Sequence, residues 1–175
     1  MKRGSTEKKY LAEFVYGAVD GTVTTFAVVS GAIGASLSAS IILILGFANL
    51  FADGFSMAIS NYLSTKSVRD MHARHRHSLG KNPKKTALAT FVSFVVMGFI
   101  PLFPFVLSAI YPVYEIYKFK LSILLTGVTF LLIGAMKARV TQKSKIKSAI
   151  ETLLIGGVAA LIAFVVGYLL RGIGG

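Results

Sequence analysis

The amino-acid sequence predicts an all-α integral membrane protein with five transmembrane helices in each subunit. Of the 175 residues, 54% are hydrophobic and only 15% are charged. The mean hydropathy is +0.70, and long uncharged runs alternate with short basic segments. A soluble domain of this length would need far more polar surface. The chain contains no Cys, which excludes a disulfide framework and a thiolate metal site.

The first two spans come from one uncharged run. Residues 21–52 form a stretch of 32 residues without charge, which is too long for a single span of about 20 residues. Within it, residues 30–40 are rich in Gly and Ser, which predicts a tight reversal between two helices. We therefore expect the first span at residues 12–34 and the second at residues 38–64.

The remaining uncharged runs predict three more spans. The third span covers residues 86–111, and its helix is expected to end near Pro112. The fourth and fifth spans are expected at residues 121–137 and 149–170. The whole chain, residues 1–175, is then a single transmembrane domain.

The basic residues predict the orientation of the chain. The N-terminal segment and two loops, residues 66–85 and 137–147, carry 16 of the 19 Lys and Arg residues. Because basic loops stay in the cytosol, the N-terminus is expected inside and the C-terminus outside. The formal net charge of +12 is thus a topology signal, and nucleic-acid binding is not needed to explain it.

Acidic side chains in the first span suggest a functional site. Glu13 and Asp20 are seven residues apart and share a helix face, and Thr24 extends that face by one turn. An ionisable residue at mid-membrane costs about 2.5–3.5 kcal/mol on insertion scales, so a function is expected. Alternatively, Asp20 could cap a broken helix or pair with a Lys, and Glu13 could be a solvated charge near the interface.

The second span carries a polar stripe with steps of three or four residues: Asn49, Asp53, Ser56, Met57, Ser60 and Ser64. Two helices joined by a short loop pack antiparallel, so this stripe and that of the first span could line a shared path. Carboxylate oxygens suit hard cations, whereas a thioether favours softer ones, and the mixture indicates a transition metal. Met57 taken alone is more often a core residue.

Two further sets of residues could contribute at the cytosolic side. Glu151 opens the fifth span, where it could line the mouth of a path or simply pair with Lys147 at i, i+4. The loop after the second span contains three histidines that could capture metal: His72, His75 and His77. The interleaved Arg74 and Arg76 would repel a cation, which favours contact of this loop with anionic lipid headgroups.

Three stretches resemble a known family. "EFVYGAVDGTVTTFAVVSGAIGASLS" and "LGFANLFADGFSMAISNYLSTKS" resemble the first two spans of the vacuolar iron transporter family, which includes yeast calcium-cross-complementer proteins. "GAMKARVTQKS" together with "SAIETLLIGGVAALIAFVVGYLL" resembles its last two spans. The resemblance implies a homodimer with five spans per subunit and a metal path at the two-fold axis. It also implies export of Fe²⁺, and often Mn²⁺, from the cytosol in exchange for protons.

The resemblance also implies roles for individual residues. By position, Asp20 and Met57 match the family's intramembrane metal ligands, and Glu13 matches an acidic residue nearer the cytosolic mouth. Asn49 stands where plant-like members have a Glu. Asp53 lies one turn along and is placed to supply the missing charge.

A second departure concerns the segment after the second span. Eukaryotic members of the family carry a Glu-rich helical insertion there, whereas this chain has the basic stretch 66–85 with Asp70 as its only acid. The resemblance therefore implies a short, prokaryotic-type member in the plasma membrane, rather than a vacuolar one.

Together these features predict a transporter of Fe²⁺ or Mn²⁺, with Co²⁺ and Zn²⁺ as further candidate cargo. Ser56, Ser60 and Thr24 would line the path. The expected partners are membrane lipid, a second copy of the chain, metal ions and protons, and no permanently bound cofactor is expected. No nucleophile and base are arranged for catalysis, so we do not expect an enzyme. A passive cation channel and a non-transporting membrane scaffold are the alternatives.

Overall fold

The fold is built from five long α-helices. A computed structural model describes the backbone of residues 3–74 and 80–172, and the side chains of residues 9–71 and 80–172. The helices are α1 (Arg3–Gly34), α2 (Ala39–Arg74), α3 (Pro83–Ile110), α4 (Lys118–Thr141) and α5 (Lys145–Leu170), with a short 3₁₀ turn at Pro112–Tyr114. The described residues contain no β-strand, so the prediction of an all-α fold is confirmed.

Four of the helices are long and apolar enough to cross a membrane, judged by length and composition within the described residues: α2, α3, α4 and α5. The α1 helix is more polar because it lies among the other helices and contacts all four of them. Its residues Ala18, Thr22, Thr25 and Val29 have no exposed surface. A helix that is covered by protein needs no apolar surface for lipid. That α1 also crosses the membrane stays a prediction.

The turns between helices follow local sequence signals. The chain reverses between α1 and α2 at residues 35–38, inside the predicted Gly- and Ser-rich stretch, and Ser36 takes a left-handed conformation with φ of 59°. The α3 helix ends at Ile110, two residues before Pro112, as expected for a residue that disfavours helix before it. At its start, the Asn82 side chain accepts hydrogen bonds from the backbone N–H groups of Lys84 and Lys85.

Glycines bring the backbones of α1 and α3 into direct contact. A Cβ atom added to Gly17 would lie 2.5 Å from the Thr90 carbonyl oxygen, and one added to Gly98 would lie 2.7 Å from the Gly21 carbonyl oxygen. A Cβ atom on Gly21 would overlap the Phe94 carbonyl group. Small residues at such positions allow membrane helices to pack closely. Since Glu13 and Asp20 also lie on α1, this contact fixes the depth of both carboxylates.

We predict that Gly21→Ala destabilises the protein, because the new methyl group forces α1 away from the Phe94 carbonyl. Overpacking of this kind costs roughly 1–3 kcal/mol. The measurement is the free energy of unfolding in detergent micelles. Gly157→Ala is the matched control, because nothing lies within 4 Å of the added Cβ; it should be neutral or stabilising by up to about 1 kcal/mol. Equal losses in both variants would contradict the close contact.

Candidate functional site

A polar cavity of about 500 Å³ lies between α1 and α2. It is located where the first half of α1 runs beside the second half of α2, near the end of the bundle that carries the basic loop after α2. The α1 helix contributes Ala12, Glu13 and Tyr16 to its walls, and α2 contributes the rest: Ser56, Met57, Ser60, Asn61 and Ser64. Glu13 of the first polar stripe thus shares one cavity with four residues of the second stripe, Ser56, Met57, Ser60 and Ser64.

Glu13 is the charged group of this cavity. Its Oε1 atom lies 2.6 Å from Lys81 Nζ, and its side chain is only 11% exposed. Its Oε2 atom is buried and has no hydrogen-bond partner among the described residues. Glu13 is therefore not an ordinary solvated charge. Because buried polar atoms normally have a partner, the free carboxylate oxygen marks a position that can accept a cation.

Lys81 reaches Glu13 because the segment before α3 is fastened to α1. The backbone N–H of Asn82 donates a hydrogen bond to the Tyr10 hydroxyl at 3.1 Å, and Lys9 Nζ donates to the Gly80 carbonyl at 3.3 Å. No local sequence pattern predicts the ion pair between Lys81 and Glu13, because 68 residues separate them.

Asp20 and Asp53 lie deeper along the same two helices, outside the walls of the cavity. Both are half-buried. Among the described residues neither carboxylate forms an ion pair with a Lys or Arg. Asp20 also lies in the middle of the unbroken α1 helix. In the described part of the chain, Asp20 therefore neither caps a broken helix nor pairs with a Lys, the two alternatives considered for it.

Other polar residues of the predicted path have different environments. The Thr24 hydroxyl donates to the Asp20 carbonyl oxygen at 2.8 Å, so the backbone already satisfies it. Asn49 is half-buried, and its Nδ2 atom is buried without a hydrogen-bond partner among the described residues. Met57 lines the cavity and also packs against the apolar core formed by α1, α2 and α3. The position of Met57 is therefore compatible with both interpretations from the sequence, a residue of the metal path and a residue of the core.

Two polar residues of the cavity are absent from the sequence-based predictions. Asn61 lines the cavity and its Nδ2 atom donates to the Thr90 hydroxyl at 2.6 Å, which connects the cavity wall to α3. Spacing along one helix does not identify Asn61, because its partner lies on the neighbouring helix. Tyr16 is exposed and lies three residues after Glu13, a spacing that could have identified it.

Among the described residues, Glu151 does not pair with Lys147, which was one of the two roles considered for it. Glu151 lies 3.5 Å from Lys137, because α4 and α5 pack side by side and bring the end of one helix beside the start of the other. Its side chain is 51% exposed, and it does not line the cavity between α1 and α2.

The side chains of the three predicted metal-capturing histidines lie outside the described residues. His75 and His77 lie outside the described residues, and His72 lies in the last turn of α2 with a side chain that is also outside them. In the described part of the chain, no group of three or more His, Cys, Asp or Glu side chains could hold a metal ion.

Comparison with known proteins gives a family. The model of the VIT family matches residues 11–79 and 71–168, which is nearly the whole chain. The chain belongs to the VIT family. The resemblance seen in its first two spans is thereby confirmed.

Several VIT family relatives align over most of this chain. The vacuolar iron transporter of Plasmodium berghei is 25% identical over 95% of this chain and 84% of its own length. Vacuolar iron transporter 1 of Arabidopsis thaliana is 26% identical over 91% and 87%. Vacuolar iron transporter homolog 4 of the same plant is 29% identical over 91% and 83%.

The alignments also show a difference in length within the VIT family. The first of these alignments runs over 230 positions, more than the 175 residues of this chain, so that relative has segments which this chain lacks. The homolog 4 alignment needs only 171 positions. The two matched parts of the family model meet at residues 71–79, at the loop after α2. This agrees with a short family member.

We predict that Lys81→Gln lowers the free energy of unfolding, because Glu13 would stay buried without its cation. The expected loss is about 1–3 kcal/mol, toward the lower end because the Lys81 side chain is 37% exposed. A double-mutant cycle with Glu13→Gln measures the coupling, and the double variant should recover part of the loss. Lys85→Gln is the control, because this Lys is exposed and forms no ion pair among the described residues. Strict additivity of the two single changes would contradict the ion pair.

Proposed function

We propose that this protein exports a divalent transition metal, Fe²⁺ or Mn²⁺, from the cytosol, in exchange for protons and along a path between two copies of the chain. The observation that carries the proposal is the cavity between α1 and α2, which is lined by Met57 and by Glu13, whose buried carboxylate oxygen Oε2 has no hydrogen-bond partner among the described residues. The names of the VIT relatives, which are called iron transporters, support iron as the cargo.

The positions of the polar side chains along α1 and α2 support a path for a cation. Asp20 lies seven residues deeper along α1 than Glu13, and Met57 lies seven residues deeper along the antiparallel α2 than Ser64, a rise of about 10 Å in each helix. A cation at the Glu13 cavity would therefore find the next carboxylates, Asp20 and Asp53, about two helical turns below. Carboxylates together with a thioether suit a borderline metal better than Mg²⁺ or Ca²⁺.

The exposed face of α2 supports a dimer. Small residues stand at every fourth position and are all exposed: Ala48, Ala52, Ser56, Ser60 and Ser64. The exposed side chains of α5, by contrast, are large and apolar, such as Leu154, Leu161 and Leu169. A stripe of small residues permits close helix packing, whereas lipid contact favours large apolar side chains. A two-fold axis along this stripe would double the carboxylates and the thioether available to a metal.

The two deep carboxylates provide a means of exchange. Asp20 and Asp53 are half-buried and have no basic partner among the described residues, and two like charges in a low-dielectric path are costly when no cation is present. Protons would neutralise them in the empty path and would leave when the metal binds. Metal movement in one direction would then drive proton movement in the other.

We infer the membrane location of the protein and the direction of metal transport from the charge of the loops. The basic residues place the cavity at the cytosolic end of the path, so loading from the cytosol and export are expected. The named relatives are vacuolar. We nevertheless propose the plasma membrane for this chain, because the basic stretch 66–85 takes the place of the Glu-rich insertion of eukaryotic members.

We predict that purified protein in liposomes moves Fe²⁺ or Mn²⁺ in the direction set by an imposed pH gradient. Asp20→Asn should lower the rate at least tenfold, because it removes a negative charge that would bind the metal, and Met57→Leu should alter the preference between metals. Glu115→Gln is the control, because this exposed acid pairs with Lys118 at the other end of the bundle. Flux that ignores the pH gradient would favour a channel, and no flux at all would favour a scaffold.

Dimerisation through α2 can be tested by cysteine cross-linking. Because the natural sequence has no Cys, Ser60→Cys introduces one thiol per chain, and oxidation in the membrane should yield a cross-linked dimer. Leu154→Cys is the control, since this exposed residue lies on α5. Efficient cross-linking of the control but not of Ser60→Cys would place the interface elsewhere.

A further inference from the structure

A second cavity, here called the basic cavity, lies on the other side of α2. It has a volume of about 520 Å³ and is formed by the last turns of α2 and the start of α3. Three cations line it, Lys66, Arg69 and Lys84, against one carboxylate, Asp70. Among the described residues, none of the three cations forms an ion pair. The cavity therefore presents unneutralised positive charge.

An apolar groove of about 330 Å³ adjoins the basic cavity. It runs between α2 and α3, with the buried Ala58 in its lining and the exposed side chains of Phe55, Ile59 and Leu88 beside it. Almost all of its lining residues are apolar. Such a groove on the outside of a membrane helix pair faces the hydrocarbon of the bilayer.

The basic cavity and the apolar groove are continuous, because Tyr62 and Lys84 line both. From Phe55 to Asp70 the two extend over 15 residues of α2, which corresponds to about 22 Å of helix. One leaflet of a membrane, with its headgroups, is about 20–22 Å thick. The charged end lies on the side that the basic loops place in the cytosol.

We propose that the basic cavity and the apolar groove together bind one anionic phospholipid of the cytosolic leaflet. Lys66, Arg69 and Lys84 hold the phosphate of the headgroup, and an acyl chain lies along the groove beside Ala58. Charge complementarity selects an anionic headgroup, because three cations face a single carboxylate. This site shares no lining residue with the cavity of Glu13, and the inference does not depend on the transported cargo.

The lipid fits this surface better than a second copy of the chain does. The groove is bordered by large side chains, Phe55, Leu88 and Phe91, whereas the small residues that suit close helix packing lie on a different face of α2. The bound lipid would also touch Asn82, the neighbour of Lys81. It would thereby support the segment that brings Lys81 to Glu13.

Binding is tested with the full-length protein in detergent, by titration with phosphatidylglycerol and phosphatidylcholine and counting of bound lipids by native mass spectrometry. We expect one phosphatidylglycerol per chain, bound at least tenfold more tightly than phosphatidylcholine. A triple variant, Lys66→Gln with Arg69→Gln and Lys84→Gln, should lose at least tenfold in affinity, since each cation near an anionic lipid contributes about fivefold. The matched control removes the same charge from exposed residues after α4: Lys143→Gln, Lys145→Gln and Lys147→Gln.

Two further arms identify the ligand. Ala87→Leu fills the groove without a change of charge and should weaken phosphatidylglycerol binding, while circular dichroism confirms that the variant is folded. Glycerol phosphate, the soluble headgroup, should not displace the lipid at equal concentration. The proposal is overturned if the triple variant binds phosphatidylglycerol as wild type does, if the matched control loses as much, or if the soluble headgroup competes equally. Cross-linking of two copies through Leu88→Cys would equally overturn it.

Discussion

Direct backbone contact around α1 is the constraint on which the other features depend. Gly21 lies against the Phe94 carbonyl of α3, and Gly167 of α5 lies against the Gly31 carbonyl, so two helices approach α1 without intervening side chains. Close approach of this kind keeps lipid away from most of α1. A covered helix can carry hydroxyls and a carboxylate that would be costly in hydrocarbon. The glycines thereby put α1 in the middle of the bundle, where it can carry the polar groups of the proposed path.

The carboxylates of the proposed path differ in whether a basic side chain compensates their charge. Glu13 has Lys81 as a partner, whereas Asp20 and Asp53 have no basic partner among the described residues. Lys81 gives the outer carboxylate a built-in cation, which an arriving metal ion would have to displace or share. The inner carboxylates offer negative charge without such competition. In the proposed mechanism, a cation moves inward because the inner carboxylates have no basic partner. Protons neutralise these carboxylates when the path is empty.

The two sides of α2 serve different surroundings. One side carries small and polar residues at every fourth position, beside the cavity of Glu13. The other side carries Phe55, Ile59 and Tyr62 along the apolar groove and ends at Lys66 and Arg69. In the proposed arrangement, the first side faces a second copy of the chain and the other faces lipid. The segment 80–82 touches both regions, because Lys81 reaches Glu13 and Asn82 lines the basic cavity.

The sequence by itself determined the all-α class, the five helices and the polar stripes, because uncharged runs, basic loops and residues three or four positions apart are local patterns. It also located Glu13 and Met57, which the fold brings to one cavity. Only the tertiary structure decided the partners of the charged groups. Lys81 pairs with Glu13 across 68 residues, and Glu151 pairs with Lys137 instead of Lys147. Such pairs depend on which helices are neighbours, and helix packing is set by small residues and shape, which a pattern along one helix does not contain.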